Sequence, residues 1–324
     1  MPYLSRAITR RGLFTTATGA AAATALGGFA GVRSATAEAA GDRFDLTAPA
    51  TGLIWKKALY DETVLQSFAF DNANGHIYVA QLKNGAGSAA AGNLCVTKLS
   101  LGGTVLGHMY LMGFGHGVQI GVEPSGTTAY LWTETNGVND GANAWGNRLA
   151  RFKFVNGQTL TASSSALTKY APIAGATSTT CAIDPSTNRL IMRYRAGGTA
   201  RFAVYSLAAL KSGTATPLFD IAQPSGLGVF QGYTVYGRYL YLLDGTAYSG
   251  SNPAPGNTYI TCVDLRTGGK VQRSLSQAGK SLDFREPEGM AIQIAGGEPR
   301  LCLGLASGVA GARKASIFYK TALV

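Results

Sequence analysis

The sequence predicts an all-β protein that folds as a single five-bladed β-propeller. Short runs rich in aromatic and β-branched residues alternate with Gly, Asn, Asp and Pro turns, and no long segment shows a helical period. One strand pattern also recurs five times, at a spacing that suits one propeller blade per repeat. An irregular β-sandwich with a coincidental period is the alternative architecture.

The first 39 residues have the layout of a twin-arginine export signal. The pair Arg10-Arg11 precedes an apolar, alanine-rich run over residues 15–31, and the small residues Ala35-Thr36-Ala37 follow. We expect cleavage after Ala37 or Ala39, which leaves residues 40–324 as a secreted or cell-wall-associated β-propeller domain. An uncleaved anchor is the alternative, but glycines and threonines make this run a poor one, so we expect no stable membrane insertion after cleavage.

The charge balance favours anionic partners. The chain has 28 Lys and Arg against 17 Asp and Glu, a formal net charge of +11. Outside the cell, a positive surface suits acidic glycans such as teichoic or uronic polymers, although a basic background shared by many proteins of one organism would give the same balance. No stripe of Arg and Lys and no recognisable module indicates a nucleic acid partner.

Four cysteines allow up to two disulfides in an oxidising compartment. Each of them lies inside an apolar strand-like run, where cysteine is commonly a small buried hydrophobic residue. Their spacing does not indicate a zinc site. These residues are Cys95, Cys181, Cys262 and Cys302.

Each of the five repeats starts with a polar residue, continues with a small one and then alternates. A second and a third strand follow each start after turn residues. The last repeat has no room for a fourth strand before Val324, so the segment around Leu53-Ile54-Trp55-Lys56-Lys57 is expected to supply it and close the ring. The aligned first positions are Gln66, His116, Thr179, Gln231 and Glu288.

These five positions form the candidate site. The first strand of a propeller blade is innermost, so its start faces the central channel, and polar groups gathered there must bind one another, water, a ligand or an ion. A purely structural ring that holds channel waters is the alternative. We expect the five side chains to surround one end of the channel.

Nearby residues suggest carbohydrate chemistry at this ring. A histidine can act as general base or acid, an arginine can neutralise a substrate carboxylate, and an aromatic face can stack on a sugar. This set favours β-elimination of a uronide over hydrolysis, with nearby glutamates raising the pKa of His116. The candidate catalytic residues are His116, Glu288, Arg195 and Arg285. The candidate substrate-binding residues are Gln66, Gln81, Trp132, Glu134, Tyr194, Gln231, Asp244 and Glu286.

Two other roles for the ring stay open. His116, Glu288 and the two glutamines offer nitrogen and oxygen ligands that suit a divalent metal ion in the central channel. Alternatively, the propeller binds a wall glycan without catalysis, around a structural metal or water ring. The remaining histidines, His76 and His108, are interpreted as structural.

Six motifs of the chain together are typical of one known family. They are Gln66-Ser67-Phe68-Ala69-Phe70-Asp71, Ile77-Tyr78-Val79-Ala80-Gln81, Gly115-His116-Gly117, Ile120-Gly121-Val122-Glu123, Leu131-Trp132-Thr133-Glu134 and Glu286-Pro287-Glu288-Gly289. With these motifs the chain resembles the TagC-like β-propellers, which occur in teichoic acid biosynthesis protein C and in receptor-binding proteins of some phages of Gram-positive bacteria. The resemblance covers essentially all of the predicted mature chain. It implies a propeller that handles wall glycans or similar polymers, but it assigns no catalytic role to a residue.

Overall fold

The computed structural model describes residues 41–324, so the predicted export signal lies outside the described residues. Across residues 41–324, no helix has the length and apolar character needed to cross a membrane. The described chain forms five sheets, each of which is one blade of the predicted five-bladed propeller.

Blade 5 contains both ends of the described chain, because the N-terminal strand β1 (Thr51–Ala58) completes it. Blade 1 follows with β2 (Leu65–Asp71), β3 (His76–Leu82), the short helix α1 (Ser88–Ala91), β4 (Leu94–Ser100) and β5 (Val105–Met112). Blade 2 contains β6 (Gly121–Ser125), β7 (Thr128–Asn139), β8 (Ala144–Lys153) and, after β9 (Thr159–Thr161), β10 (Thr168–Tyr170). Strand β9 instead joins blade 1, parallel to β5.

The other blades are regular four-stranded antiparallel sheets. Blade 3 contains β11 (Thr177–Asp184), β12 (Arg189–Ala196), β13 (Thr199–Ser206), helix α2 (Leu207–Lys211) and β14 (Phe219–Ala222). Blade 4 contains β15 (Phe230–Tyr236), β16 (Tyr239–Asp244), β17 (Tyr259–Asp264) and β18 (Lys270–Leu275). Blade 5 continues with β19 (Glu286–Ala295), β20 (Glu298–Ser307) and β21 (Lys314–Lys320).

The N-terminal strand closes the ring, as the sequence predicts. Strand β1 pairs antiparallel with β21, from Thr51 opposite Tyr319 to Ala58 opposite Lys314. Blade 5 therefore receives its outermost strand from the start of the domain, and this pairing joins the two ends of the described chain through main-chain hydrogen bonds.

Apolar side chains fill the spaces between blades. One buried cluster, for example, joins Leu243 of β16 to Met290 of β19 and Leu303 of β20. All four cysteines are buried and free, so the two disulfides that the sequence allows are not formed, and the cysteines pack as small hydrophobic residues.

The first strand of four blades has a break in register close to its start. The breaks fall between Leu65 and Ser67 in β2, between Thr177 and Thr180 in β11, between Phe230 and Gly232 in β15, and between Pro287 and Met290 in β19. A bulge leaves a residue outside the regular ladder and turns its side chain. The residues at these breaks include Gln66, Thr179, Gln231 and Glu288, which are four of the five aligned positions.

Candidate functional site

A cavity of about 850 Å³ opens at the end of the propeller where the first strands start. We call it the channel-mouth cavity. Its lining includes Gln66, His116, Gln231 and Glu288 from four different blades, together with Glu286. Thr179 is buried but does not line this cavity, and its hydroxyl donates to the carbonyl oxygen of Arg148 at 3.1 Å. Four of the five aligned positions therefore surround one space.

The backbone around His116 is fixed by a buried carboxylate. Glu134 Oε1 accepts the N–H groups of His116 at 3.0 Å and Gly117 at 2.7 Å, and its Oε2 accepts the N–H of Gly146 at 2.5 Å. Gly115 has a φ of 157°, and a Cβ there would lie 2.2 Å from Glu134 Oε2. Glycine is thus required where the loop meets this carboxylate. Burial raises the pKa of the Glu134 carboxyl to about 7, against the effect of the three N–H donors.

The His116 imidazole is mostly enclosed. It stacks on Trp145 with ring centroids 4.8 Å apart, and its buried Nδ1 has no hydrogen-bond partner within residues 41–324. Burial lowers the pKa of His116, and only Asp140 acts in the opposite direction. The expectation that Glu134, Glu286 and Glu288 raise this pKa is therefore wrong, because desolvation of the imidazolium dominates.

The two glutamates at the start of blade 5 have raised pKa values. Burial, reinforced by the neighbouring Glu286, raises the pKa of Glu288 well above its ordinary value. Burial also raises the pKa of Glu286, while Arg313 lowers it. Glu288 is 5 % exposed and has no ion pair within the described chain. It therefore favours the protonated form, which can donate a hydrogen bond.

Two cations of the cavity are not among the residues predicted from sequence. Lys83 lies 4.9 Å from the centroid of the Tyr110 ring, and the Arg313 guanidinium carbon lies 3.4 Å from the centroid of Phe284. Both follow the second strand of a blade, in Gly- and Ala-rich loops that line the cavity. In antiparallel blades those loops share an end with the first-strand starts. The position of Lys83 and Arg313 just after a second strand is therefore the sequence signal that could have identified them.

Two predicted arginines lie outside the channel-mouth cavity. Arg285 is fully buried, and its guanidinium donates to the carbonyl oxygens of Pro255, Ser276 and Ala278 and to the hydroxyl of Thr258. These contacts satisfy the Arg285 guanidinium inside the protein, so it stabilises the segments that contain these partners. Arg195 is exposed and lines a neighbouring cavity.

Four predicted binding residues are occupied by internal contacts. Gln81 donates to the carbonyl oxygens of Asp61 at 2.6 Å and Thr63 at 2.9 Å. Tyr194 donates to Asp220 at 2.9 Å. The Trp132 indole donates to Glu123 Oε2 at 2.8 Å. Asp244 pairs with Arg273 through two hydrogen bonds of 2.7 Å. None of the four lines the channel-mouth cavity.

Metal binding by this ring stays a prediction. Within residues 41–324, no group of three or more His, Cys, Asp or Glu side chains is placed to hold a metal ion. The ligand set expected from sequence, His116 and Glu288 with the two glutamines, contains only two residues of these types.

Two comparisons with known proteins show what the chain is similar to in sequence and in fold. It is 30 % identical over 287 residues to the putative major teichoic acid biosynthesis protein C of Bacillus subtilis (strain 168), an alignment that covers 85 % of this chain and 63 % of that protein. The chain thus spans less than two thirds of this relative's length. It also superposes on the tail fiber of Staphylococcus aureus phage P68 with a TM-score of 0.70 and 23 % identity, covering 86 % of this chain and 54 % of the fiber, which shows the shared fold.

A family comparison agrees with the five blades. The family described as the phage 5-bladed beta propeller receptor binding platform domain matches residues 64–319, which runs from the first strand of blade 1 to the third strand of blade 5. The chain belongs to this family of five-bladed receptor-binding platform propellers.

Proposed function

We propose that this protein is an extracellular or cell-surface propeller that binds an anionic wall polymer or polysaccharide in the channel-mouth cavity. The observation that carries the proposal is the convergence of polar side chains from four blades on one cavity of about 850 Å³. The relative named for teichoic acid biosynthesis and the phage tail fiber support the choice of a wall polymer. The predicted twin-arginine signal provides the export route.

The chemistry of the lining suits a hydroxyl-rich ligand. Gln66 and Gln231 supply amide donors and acceptors, neutral His116 supplies ring nitrogen, and protonated Glu288 supplies a hydroxyl donor. Lys83 and Arg313 add positive charge without an ion pair to a carboxylate within residues 41–324. Sugars or polyols can therefore be hydrogen-bonded at depth while an anionic group meets a cation.

A catalytic role is the second candidate, and the position of His116 on the lining of the channel-mouth cavity, together with Glu288, favours it. Because burial lowers its pKa, this imidazole is neutral near pH 7 and able to accept a proton, while Glu288 retains a proton that it can give. In β-elimination of a uronide, His116 would remove the proton next to the carboxylate. The C–O bond would break as the C=C bond forms, and Glu288 would protonate the leaving oxygen. Arg313 would neutralise the carboxylate.

Calorimetric titration with isolated teichoic acid, polygalacturonate and a neutral glycan tests binding. We expect an anionic polymer to bind, and Gln66→Ala to weaken that binding by about tenfold, which corresponds to one or two lost hydrogen bonds. Lys153 is the last residue of β8 and lies at the end of blade 2 opposite the channel-mouth cavity. Lys153→Gln removes a charge there and should bind the polymer like wild type. Absence of binding to all three polymers would refute the proposal.

Product analysis tests catalysis separately. A lyase generates an unsaturated product that absorbs ultraviolet light, whereas a hydrolase releases reducing ends without that absorbance. If His116 is the base, His116→Asn should bind the polymer and form no product. Binding without any product in the wild type would leave a pure binding propeller.

A further inference from the structure

A second cavity, of about 510 Å³, adjoins the channel-mouth cavity. We call it the arginine cavity. The two spaces meet at two places: Trp145 lines the arginine cavity and stacks on His116 of the other, and Phe230 precedes Gln231 along β15. The lining of the arginine cavity includes Asp140, Trp145, Ser178, Arg193, Arg195 and Phe230.

Two arginines at the end of β12 give this cavity its charge. Arg193 and Arg195 are two positions apart on one strand, so their side chains lie on the same face. Arg193 is only 7 % exposed, its Nε donates to Gln223 at 3.0 Å, and its guanidinium carbon lies 4.0 Å from the centroid of the Phe230 ring. Arg195 is exposed and donates to the carbonyl oxygen of Gly198 at 2.9 Å.

Neither arginine forms an ion pair with a carboxylate in the part of the chain that the structure describes. Other partly buried arginines of this protein do, such as Arg151 with Glu123 and Arg273 with Asp244. The carboxylate of Glu134 attracts Arg193 only through space, because its oxygens accept the N–H groups of His116, Gly117 and Gly146. Removing a guanidinium from water without a hydrogen-bonded counter-charge is costly. A nearly buried Arg193 beside a second cation therefore indicates a place for an anion from outside the chain.

The strand paired with that of the arginines, β11, contains backbone strain where it lines this cavity. Ser178 has a φ of 49°, in the left-handed region, at the bulge between Thr177 and Thr180. A residue other than glycine is strained in this conformation, and such strain is concentrated at binding sites. Asp140 also lines the cavity, but within residues 41–324 it forms no ion pair with either arginine; its carboxylate accepts Trp145 Nε1 at 2.7 Å and the N–H of Asn143 at 2.8 Å.

We propose that the arginine cavity is a second ligand site, in which Arg193 and Arg195 bind an oxyanion, either a phosphate or a carboxylate, beside the indole of Trp145. The identity of the ligand as part of a wall polymer rests on the proposed function. The His116–Trp145 stack then forms the shared wall between two subsites, so a repeating polymer places a sugar or polyol in one cavity and its anionic group in the other.

Tryptophan fluorescence tests this site with small anions. Inorganic phosphate and galacturonate are titrated separately, and we expect at least one to produce a saturable change. Trp145→Phe should abolish that change while Trp55 and Trp132 remain. Arg195→Gln should weaken anion binding by about tenfold, the equivalent of one charge-assisted hydrogen bond. Lys153→Gln loses the same charge elsewhere and should bind like wild type.

The two arms identify the source of the oxyanion, since a preference for phosphate indicates a phosphodiester polymer and a preference for galacturonate indicates a uronide. Arg193→Gln is a second variant, accepted only if its thermal unfolding stays cooperative, and it should abolish binding. No saturable response to either anion, or equal affinity in wild type and Arg195→Gln, would overturn the proposal.

Failure of this inference can be separated from failure of the proposed function. If the anions bind but no wall polymer does, the arginine cavity is supported as an anion site and the proposed function is refuted. If an anionic polymer binds and Arg195→Gln changes neither polymer nor anion affinity, the proposed function stands and this site falls.

Discussion

Two buried glutamates of this propeller have opposite environments. Glu123, in blade 2, is 8 % exposed, and its carboxylate accepts hydrogen bonds from Arg151 at 2.7 Å, Lys211 at 2.5 Å and the Trp132 indole at 2.8 Å. Glu288, in blade 5, is 5 % exposed and has no ion pair within residues 41–324. The two carboxylates are thus similarly buried, but Glu123 is paired with cations and Glu288 has no ion pair within those residues.

The difference appears in the acidity of the two groups. Burial alone would raise the pKa of Glu123, but its cationic and indole donors lower it to about 2. Burial and the adjacent Glu286 raise the pKa of Glu288 instead. The buried glutamate of blade 2 is therefore paired with cations, whereas Glu288 at the channel mouth is not, and this contrast supports the proposed ligand site.

The largest expected effect comes from breaking the paired region. Arg151→Leu leaves the Glu123 carboxylate buried with a weaker set of donors, so the free energy of unfolding at neutral pH should fall by about 3 kcal/mol. Urea denaturation measures this change. Because the Glu123 pKa is lowered, its stabilisation is present above about pH 4.5 and is lost as the pH falls towards 2. The deficit of the variant should shrink over the same range.

A control for this prediction is available in the same network. Lys211 is 39 % exposed at its side chain, so Lys211→Gln should cost less than about 1 kcal/mol. Equal losses in the two variants would show that burial does not determine the strength of these pairs.

An intermediate effect is expected at the carboxylate that holds the His116 loop. Glu134→Gln places an amide NH₂ among three N–H donors, so at least one donor loses its acceptor and the free energy of unfolding should fall by about 2 kcal/mol. Hydrogen exchange at the amides of His116, Gly117 and Gly146 should accelerate. Glu62→Gln, on an exposed side chain that lines the channel-mouth cavity, should change stability by less than about 0.5 kcal/mol. Unchanged exchange at the three amides would contradict the role assigned to Glu134.

The smallest effect is a gain in stability at the unpaired glutamate. Since the folded pKa of Glu288 is raised, its contribution is fully present below about pH 4.5 and is lost as the pH rises through the folded value. Glu288→Gln cannot ionise, so it should match wild type near pH 4.5 and exceed it in thermal stability near pH 8. Glu123→Gln should show the reverse, a deficit at high pH that disappears in acid. If the stability of the two variants changed with pH in the same direction, the predicted difference between Glu288 and Glu123 would be wrong.

The sequence by itself determined the architecture. Alternation, turn residues and the five-fold repeat are local signals, and they predicted the five blades and the closure by the segment around Leu53–Lys57. The alignment of strand starts also brought Gln66, His116, Gln231 and Glu288 to one end, because equivalent positions in a propeller are related by rotation about the channel.

Only the tertiary structure decided which charges face the cavity. Arg285 is adjacent to Glu286 in sequence, yet its guanidinium contacts carbonyl oxygens as far back as Pro255, whereas Lys83 and Arg313 reach the cavity from loops in different blades. The same applies to protonation: the sequence places glutamates near His116, which suggests a raised pKa, but burial lowers it. Partner choice and desolvation depend on distances between residues far apart in the chain, and no local pattern encodes those distances.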